Sequence, residues 1–208
     1  MNYASDVAAL ARRHRGAVVI RARALGKRYG DRRVFAGLDI DVPDGGFLLV
    51  TGPNGSGKTT LLRVLAGLAA PTAGELQLPP RHTIGYLGHE PLVYRELTPL
   101  ENLTLFGRLY RLPERGERIG MLLERFGLWE VRHERVSTFS RGMQQRLGLC
   151  RVLLHDPTHL LLDEPYNALD AEGAALLDGV FDEPRTWIVA THEPDRVAHY
   201  ATERLAFA

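Results

Sequence analysis

The stretch Thr51-Gly52-Pro53-Asn54-Gly55-Ser56-Gly57-Lys58-Thr59-Thr60 constrains this chain more than any other. It follows the apolar run Phe47-Leu48-Leu49-Val50, which reads as a buried strand. It precedes Leu61-Leu62-Arg63-Val64-Leu65, whose apolar spacing suits a helix laid on a sheet. Strand, glycine-rich turn, Lys-Thr and helix together are the context of a phosphate-binding loop. The glycines let successive backbone N–H groups point inward at an anion, and the helix N-terminus adds partial positive charge. Gly52 to Thr60 are therefore expected to hold the phosphates of a nucleotide. Lys58 reaches the β- and γ-phosphates, and the Thr59 hydroxyl ligates Mg²⁺. A glycine-rich surface turn with a solvated lysine is the alternative, and the combined spacing and flanks argue against it.

Composition narrows the class without naming it. The 208 residues are 45% apolar and 25% charged, as in an ordinary globular protein with a real core. A formal net charge of +1 gives no global basic field, so direct nucleic-acid binding is not expected. The single cysteine excludes an internal disulfide and a four-Cys zinc site, and suits a reducing cytoplasm. Set among Leu147, Leu149, Val152 and Leu153, Cys150 reads as a small buried hydrophobe. No apolar run approaches the ~18 residues that cross a bilayer. The Val7–Ala11 patch is too short for a signal-peptide core, so action at a membrane needs a partner. Residues 1–17 read as an N-terminal extension, a short helix or frayed end, and 18–208 as a single domain.

Taken in order, Val18–Leu25 reads as an edge strand, and Leu38–Val42 alternates like a half-exposed one. Between them Tyr29 is placed to stack on an adenine ring, with a surface turn tyrosine as the alternative. Glu75–Leu78 is a short strand, Pro79-Pro80 a break, and Thr83–Leu87 a core strand. From Thr98 the leucines recur at helical spacing, punctuated by Pro113 and Gly116, which predicts a helical insert over about residues 90–150. Leu160-Leu161-Leu162 then reads as a buried strand delivering Asp163 and Glu164, which alternation sends in different directions. Asp163 suits Mg²⁺ held through water, and Glu164 suits acceptance of a proton from an attacking water. Trp187–Ala190 is a further strand, ending in Thr191-His192, where His192 is placed to hydrogen-bond a γ-phosphate.

In this order, these segments resemble the ATP-binding cassette (ABC) ATPases over nearly the whole chain, roughly Val18 to Phe207. Phe139-Ser140-Arg141-Gly142-Met143-Gln144-Gln145-Arg146 looks like the family's signature segment. Asn167-Ala168-Leu169-Asp170 looks like its D-loop, Tyr29 its adenine-stacking residue and His192 its switch histidine. The resemblance implies an α/β fold: a P-loop NTPase core with a mixed or parallel sheet flanked by helices, an N-terminal antiparallel β region and a helical ABC-specific subdomain. It implies ATP hydrolysis with ATP and Mg²⁺ as cofactors, and Glu164, His192 and Lys58 as the catalytic set. It also implies a second cassette as partner, most simply a homodimer closed by ATP. In that dimer Ser140, Arg141, Gly142 and Met143 face the γ-phosphate bound by the other copy, with Asp170 beside them. Integral membrane permease subunits complete the assembly, which places this subunit peripherally on the cytoplasmic face of the cell membrane. The cargo does not bind this subunit.

Two departures from the family pattern bear on mechanism. Phe139, Arg141 and Met143 replace residues of the usual Leu-Ser-Gly-Gly-Gln, while Ser140 and Gly142 are retained. In Tyr86-Leu87-Gly88-His89-Glu90-Pro91, His89 stands where the family has a glutamine touching Mg²⁺ and the attacking water. An imidazole donates and accepts as the amide does but, unlike the amide, can also take up a proton, so nucleotide coupling is expected to be more pH-sensitive. The His-Glu-Pro stretch and the Ser-Arg-Gly-Met signature are most similar to the ATP-binding subunits of the haem exporter in cytochrome c maturation. Exporters of drugs or polysaccharides come next. ABC ATPases acting on ribosomes or DNA fit less well, because they carry fused cassettes or long inserts. Leu92, Val93, Tyr94 and Leu97 read either as contacts for the permease's coupling helix or as core.

Overall fold

The computed structural model describes residues 17–113 and 115–207. The Val7–Ala11 patch lies outside them. Two compact units make up the described chain: residues 17–81 with 184–207, and His82–Glu183.

In the first unit, alternating residues build a long hairpin. In β1 (Val18–Tyr29) Ile20 and Ala22 are buried while Arg21 and Arg23 are exposed, and β2 (Arg32–Pro43) pairs with it antiparallel. Gly30, at φ 54, and Asp31 make the two-residue turn between them. The expectation of an edge strand at Val18–Leu25 is corrected here. β1 runs for 12 residues and lies between β2 and β4 (Ala73–Gln77), in the order β2-β1-β4. Alternation reports which face of a strand is buried, not whether a later segment pairs along its second edge. A separate parallel group has the order β7-β3-β8. Its centre, β3 (Phe47–Thr51), pairs with β7 (Thr186–Ala190) from Phe47↔Trp187 to Val50↔Ala190, and with β8 (Glu203–Ala206) from Leu48↔Glu203 to Thr51↔Ala206. All of β7 and Phe47–Val50 are buried, which is why both read as continuous apolar runs. The first helix, α1 (Lys58–Leu65), buries Leu61, Leu62, Val64 and Leu65.

In the second unit, β5 (Ile84–Leu87) and β6 (His159–Asp163) run parallel, from Ile84↔His159 to Leu87↔Leu162. The expected helical insert is present as α2 (Pro99–Leu109), α3 (Arg115–Arg125) and α4 (Arg141–Leu153). At the start of α2, Thr98 Oγ1 accepts the Glu101 N–H at 3.2 Å and Glu101 Oε2 accepts the Thr98 N–H at 2.8 Å. That backbone bond holds the Glu101 carboxyl below the usual carboxylate range. In α3 the buried set is Ile119, Leu122 and Leu123, spaced for one face. Cys150 on α4 is buried as expected, and burial pushes its thiol well above its ordinary range. A helix not anticipated from sequence, α5 (Ala171–Phe181), follows β6. Among the described residues no helix is long and apolar enough to cross a membrane.

Candidate functional site

The glycine-rich loop springs from the C-terminal end of β3 and ends at α1. Gly52, Gly55 and Gly57 take φ values of 142, 80 and 114, a region that side-chain-bearing residues rarely adopt. Two of the three are also sterically required. A Cβ on Gly52 would stand 2.8 Å from Phe207 Cβ, and one on Gly57 would stand 2.8 Å from Val34 Cγ1. The loop is thus seated between the residue after β8 and the start of β2, where Phe35 and Phe207 meet edge to face at 6.1 Å. Lys58 is buried, and its Nζ donates to the carbonyls of Gly52 at 2.7 Å and Pro53 at 3.1 Å. Ser56 Oγ is buried without a hydrogen-bond partner among the described residues. No Asp or Glu occurs from Thr51 through Leu65. A buried ammonium, an unmatched hydroxyl and a helix whose first turn carries no acidic residue form a donor-rich cradle, and that donor set fits a polyphosphate.

Two other expected site residues belong to the same unit. β3 and β7 are parallel, so both end at one edge, where the Thr191 N–H donates to the Val50 carbonyl at 3.1 Å. Thr191 Oγ1 accepts the Glu193 N–H at 3.0 Å, and the exposed His192 ring lies 3.7 Å from the Glu193 carboxylate. His192 therefore leaves the sheet at the edge that carries the glycine-rich loop. Tyr29 closes β1, paired with Arg32 and half exposed. Val34, two residues along β2, abuts Gly57 and so ties this hairpin end to the loop.

The second unit gathers the rest. Asp163 is buried at the end of β6, and Glu164 after it is buried at φ 51. Strand alternation is thus not what parts the two carboxylates: a left-handed residue turns the chain, and the Asn167 N–H donates to the Glu164 carbonyl at 3.0 Å. A non-glycine residue held there costs about 1–3 kcal/mol, a strain that clusters at functional sites. The β5–β6 register sends Gly88-His89 and Asp163-Glu164 from the same edge of that pair, with His89 and Glu90 exposed. Leu92 and Tyr94 are exposed, and Val93 and Leu97 are partly covered. The buried Asn102 amide accepts the Tyr94 N–H at 2.7 Å and donates to the Tyr94 carbonyl at 2.9 Å, which fixes how that segment is presented.

Ser140 is the N-cap of α4, its Oγ accepting the Met143 N–H at 3.2 Å. Ser140 and Arg141 are exposed, while Gly142 and Met143 are partly covered. This helix start is stitched to the segment after β6: Gln145 Nε2 donates to the Pro165 carbonyl at 3.2 Å, and a Cβ on Gly142 would stand 2.7 Å from the Ala168 carbonyl oxygen. Gly142 is therefore demanded by its own chain, whatever else approaches it. Gly142→Ala is expected to destabilise the protein by about 1–3 kcal/mol through overpacking, lowering Tm by about 2–10 °C in a chain of this length. Calorimetry checks this, and an unchanged Tm refutes the contact. Asp170 caps α5, with Oδ1 accepting the Gly173 N–H at 2.8 Å, a structural task that its sequence reading did not include.

The first unit carries Gly52–Thr60, His192 at the same sheet edge and Tyr29 on the hairpin whose Val34 abuts Gly57; the second carries Asp163, Glu164, His89, Ser140–Met143 and Asp170. Sequence reasoning missed Arg151. This buried guanidinium donates to the carbonyls of Tyr86 at 3.0 Å and Pro91 at 3.2 Å, clasping both ends of the His89 segment. Burial pushes its pKa below the ordinary arginine value. A cation in the otherwise apolar end of α4 was the available signal. Among the described residues no three His, Cys, Asp or Glu side chains converge on a metal-sized site.

The family model for ABC transporters matches residues 35–167. The chain is 37% identical over 188 residues to the cytochrome c biogenesis ATP-binding export protein CcmA of Cupriavidus necator, which covers 84% of this chain and 83% of that one. It is 42% identical over 161 residues to the daunorubicin resistance ATP-binding protein DrrA3 of Streptomyces coeruleorubidus, covering 72% of this chain and 51% of that one. The chain thus spans about half the length of several curated relatives that it matches. Among solved structures, the dimeric post-hydrolysis state of the ATP-binding cassette MJ0796 bound to ADP and Pi is similar with a TM-score of 0.78 and 26% identity, over 91% of this chain and 94% of that one. With a matched span that runs from β2 through the glycine-rich loop and the signature segment to Asn167, this chain belongs to the ABC transporter family as one of its ATP-binding cassettes.

Proposed function

We propose that this chain is the ATP-hydrolysing subunit of an exporter, and that the exporter is the haem exporter of cytochrome c maturation. The donor-rich cradle from Gly52 to Lys58 is the observation that carries the chemistry. The backbone N–H groups of that loop bind the triphosphate. Lys58 exchanges its two carbonyl partners for phosphate oxygens, a stronger charge-assisted pairing. Thr59 and Asp163 would hold Mg²⁺, with His89 as a further contact. When bound, the ion neutralises charge on the β- and γ-phosphates. Tyr29 stacks on the base. Glu164 takes the proton of the attacking water, and His192 hydrogen-bonds the γ-phosphate. A second copy supplies Ser140, Gly142 and Met143 at the start of α4, with the Arg141 cation, to that same phosphate. ATP thereby joins two cassettes, and hydrolysis lets them part.

Membrane work falls to permease subunits, which put this cassette on the cytoplasmic face of the membrane. The exposed Leu92 and Tyr94 offer them an apolar contact. Haem export is favoured over drug export because the similarity to CcmA extends over 83% of that protein, against 51% of DrrA3. Purification of the tagged protein from its own host's membranes, with mass spectrometry and an absorbance scan for haem, tests the assignment. Recovery of multi-span haem-export subunits is the expected result. A drug or polysaccharide permease moves the cargo class, and recovery of no membrane protein overturns the transport reading.

A further inference from the structure

Tyr29 is not an isolated aromatic on a hairpin end. The Lys27 ammonium lies over its ring, 4.7 Å from the centroid. Lys27 is unusually covered for a lysine, at 9% relative exposure, while Tyr29 is 50% exposed. Two residues apart on β1, the side chains share one face of the strand. The ammonium has three donors, and the described residues give it one acceptor, the Ala70 carbonyl at 2.7 Å, and no carboxylate. The ring face is its second partner. Ala70 belongs to the segment after α1, and Thr72 fixes that segment by donating its N–H to the Gly26 carbonyl at 2.8 Å. Lys27 is thus anchored at its tip by backbone of the segment that leads into the neighbouring strand β4.

We propose that Lys27 is a positioning residue for nucleobase recognition: it holds the Tyr29 ring from behind, so that the opposite face is presented to the purine. This rests on the reading of Tyr29 as the base-stacking residue. The physical reason is preorganisation. An exposed tyrosine samples several rotamers, and a base that must first select one of them binds more weakly. A cation anchored against one face removes that freedom in advance, and leaves the other face as the only one a base can cover.

The test is a double-substitution cycle in the full-length protein, read by calorimetry with ATP and with inorganic tripolyphosphate. Base stacking on an aromatic supports a Kd loss of about five- to hundredfold for Tyr29→Ala with ATP. Lys27→Met is expected to raise the ATP Kd about two- to fivefold, the scale of an exposed cation–π contact, and to leave the tripolyphosphate Kd unchanged. Lys27→Arg, which keeps a cation able to stack on the ring, is expected to restore ATP binding. In the Tyr29→Ala background Lys27→Met is expected to add nothing. Lys27→Gln provides the same comparison should the methionine variant fail to fold. Equal losses from Lys27→Met with and without Tyr29, or an equal loss toward tripolyphosphate, overturn the proposal while leaving base stacking in place. ATP binding by Tyr29→Ala at wild-type strength overturns the stacking reading and the proposal together.

Discussion

Glu164→Gln is expected to bind MgATP as the wild type does, to lose turnover by about a hundredfold or more, and to accumulate as a dimer. The size of the loss is that of removing a positioned general base, about 10²–10⁴ in rate. Gln matches Glu in shape, so the buried position and the turn closed by Asn167 are preserved, but an amide cannot take up the water's proton at neutral pH. The strain at φ 51 is retained too, because it belongs to the backbone. Binding and hydrolysis should therefore separate cleanly. With ATP bound and not consumed, the two cassettes have no cause to part. Gel filtration with saturating MgATP, beside a phosphate-release assay, reads both halves. A variant that stays monomeric with ATP bound contradicts the ATP-joined dimer, and one that still turns over at the wild-type rate removes Glu164 from the role.

Local backbone demands were legible in the sequence. Gly52, Gly55 and Gly57 fall where a tight anion loop needs positive φ, and the structure holds all three there. The continuous apolar runs of β3, β6 and β7 were equally plain, since strands buried on both faces have no polar side to conceal. What escaped was set by pairing between distant segments. β1 is central only because Ala73–Gln77, a strand with mostly exposed residues, pairs along its second edge. Glu164 was read as the next step of a strand, but the chain turns there, a conformation no local signal announced in a non-glycine residue. Asp170 offered a D-loop match and hid a helix cap, because α5 behind it contains Gly173 and Gly179 and lacks a strong helical pattern. Lys27 and Arg151 were passed over for a related reason. A charged residue in sequence reads as solvated until the fold shows which carbonyls and rings surround it.

Lys58→Ala is expected to abolish useful nucleotide binding rather than slow a bound state. The Lys58 ammonium is already buried and desolvated by the loop, with Gly52 and Pro53 carbonyls as partners. Phosphate oxygens carry charge where those two carbonyls are neutral dipoles, so trading these two bonds for phosphate bonds strengthens them without a fresh cost of burial. Charge-assisted hydrogen bonds are worth about 1.5–3 kcal/mol each, so losing two of them raises the ATP Kd by roughly a hundredfold or more at 1.4 kcal/mol per tenfold. The same substitution strips two loop carbonyls of their donor, so the nucleotide-free protein should also melt lower, by an amount typical of one or two lost hydrogen bonds, about 1–2 kcal/mol. The two effects are separable by thermal melting with and without MgATP, since a ligand that binds only the folded state raises Tm with the logarithm of its concentration over its Kd. Wild type should show a clear ATP-dependent rise, and Lys58→Ala a lower baseline with almost none. Lys58→Arg makes the argument sharper. It keeps the charge but swaps a compact ammonium for a broad planar fork, in a loop where Gly52 and Gly57 already stand against Phe207 and Val34. If Lys58→Arg also loses the ATP-dependent rise, the cradle is selecting for shape as well as charge; if Lys58→Ala retains it, the loop is not where the phosphates bind.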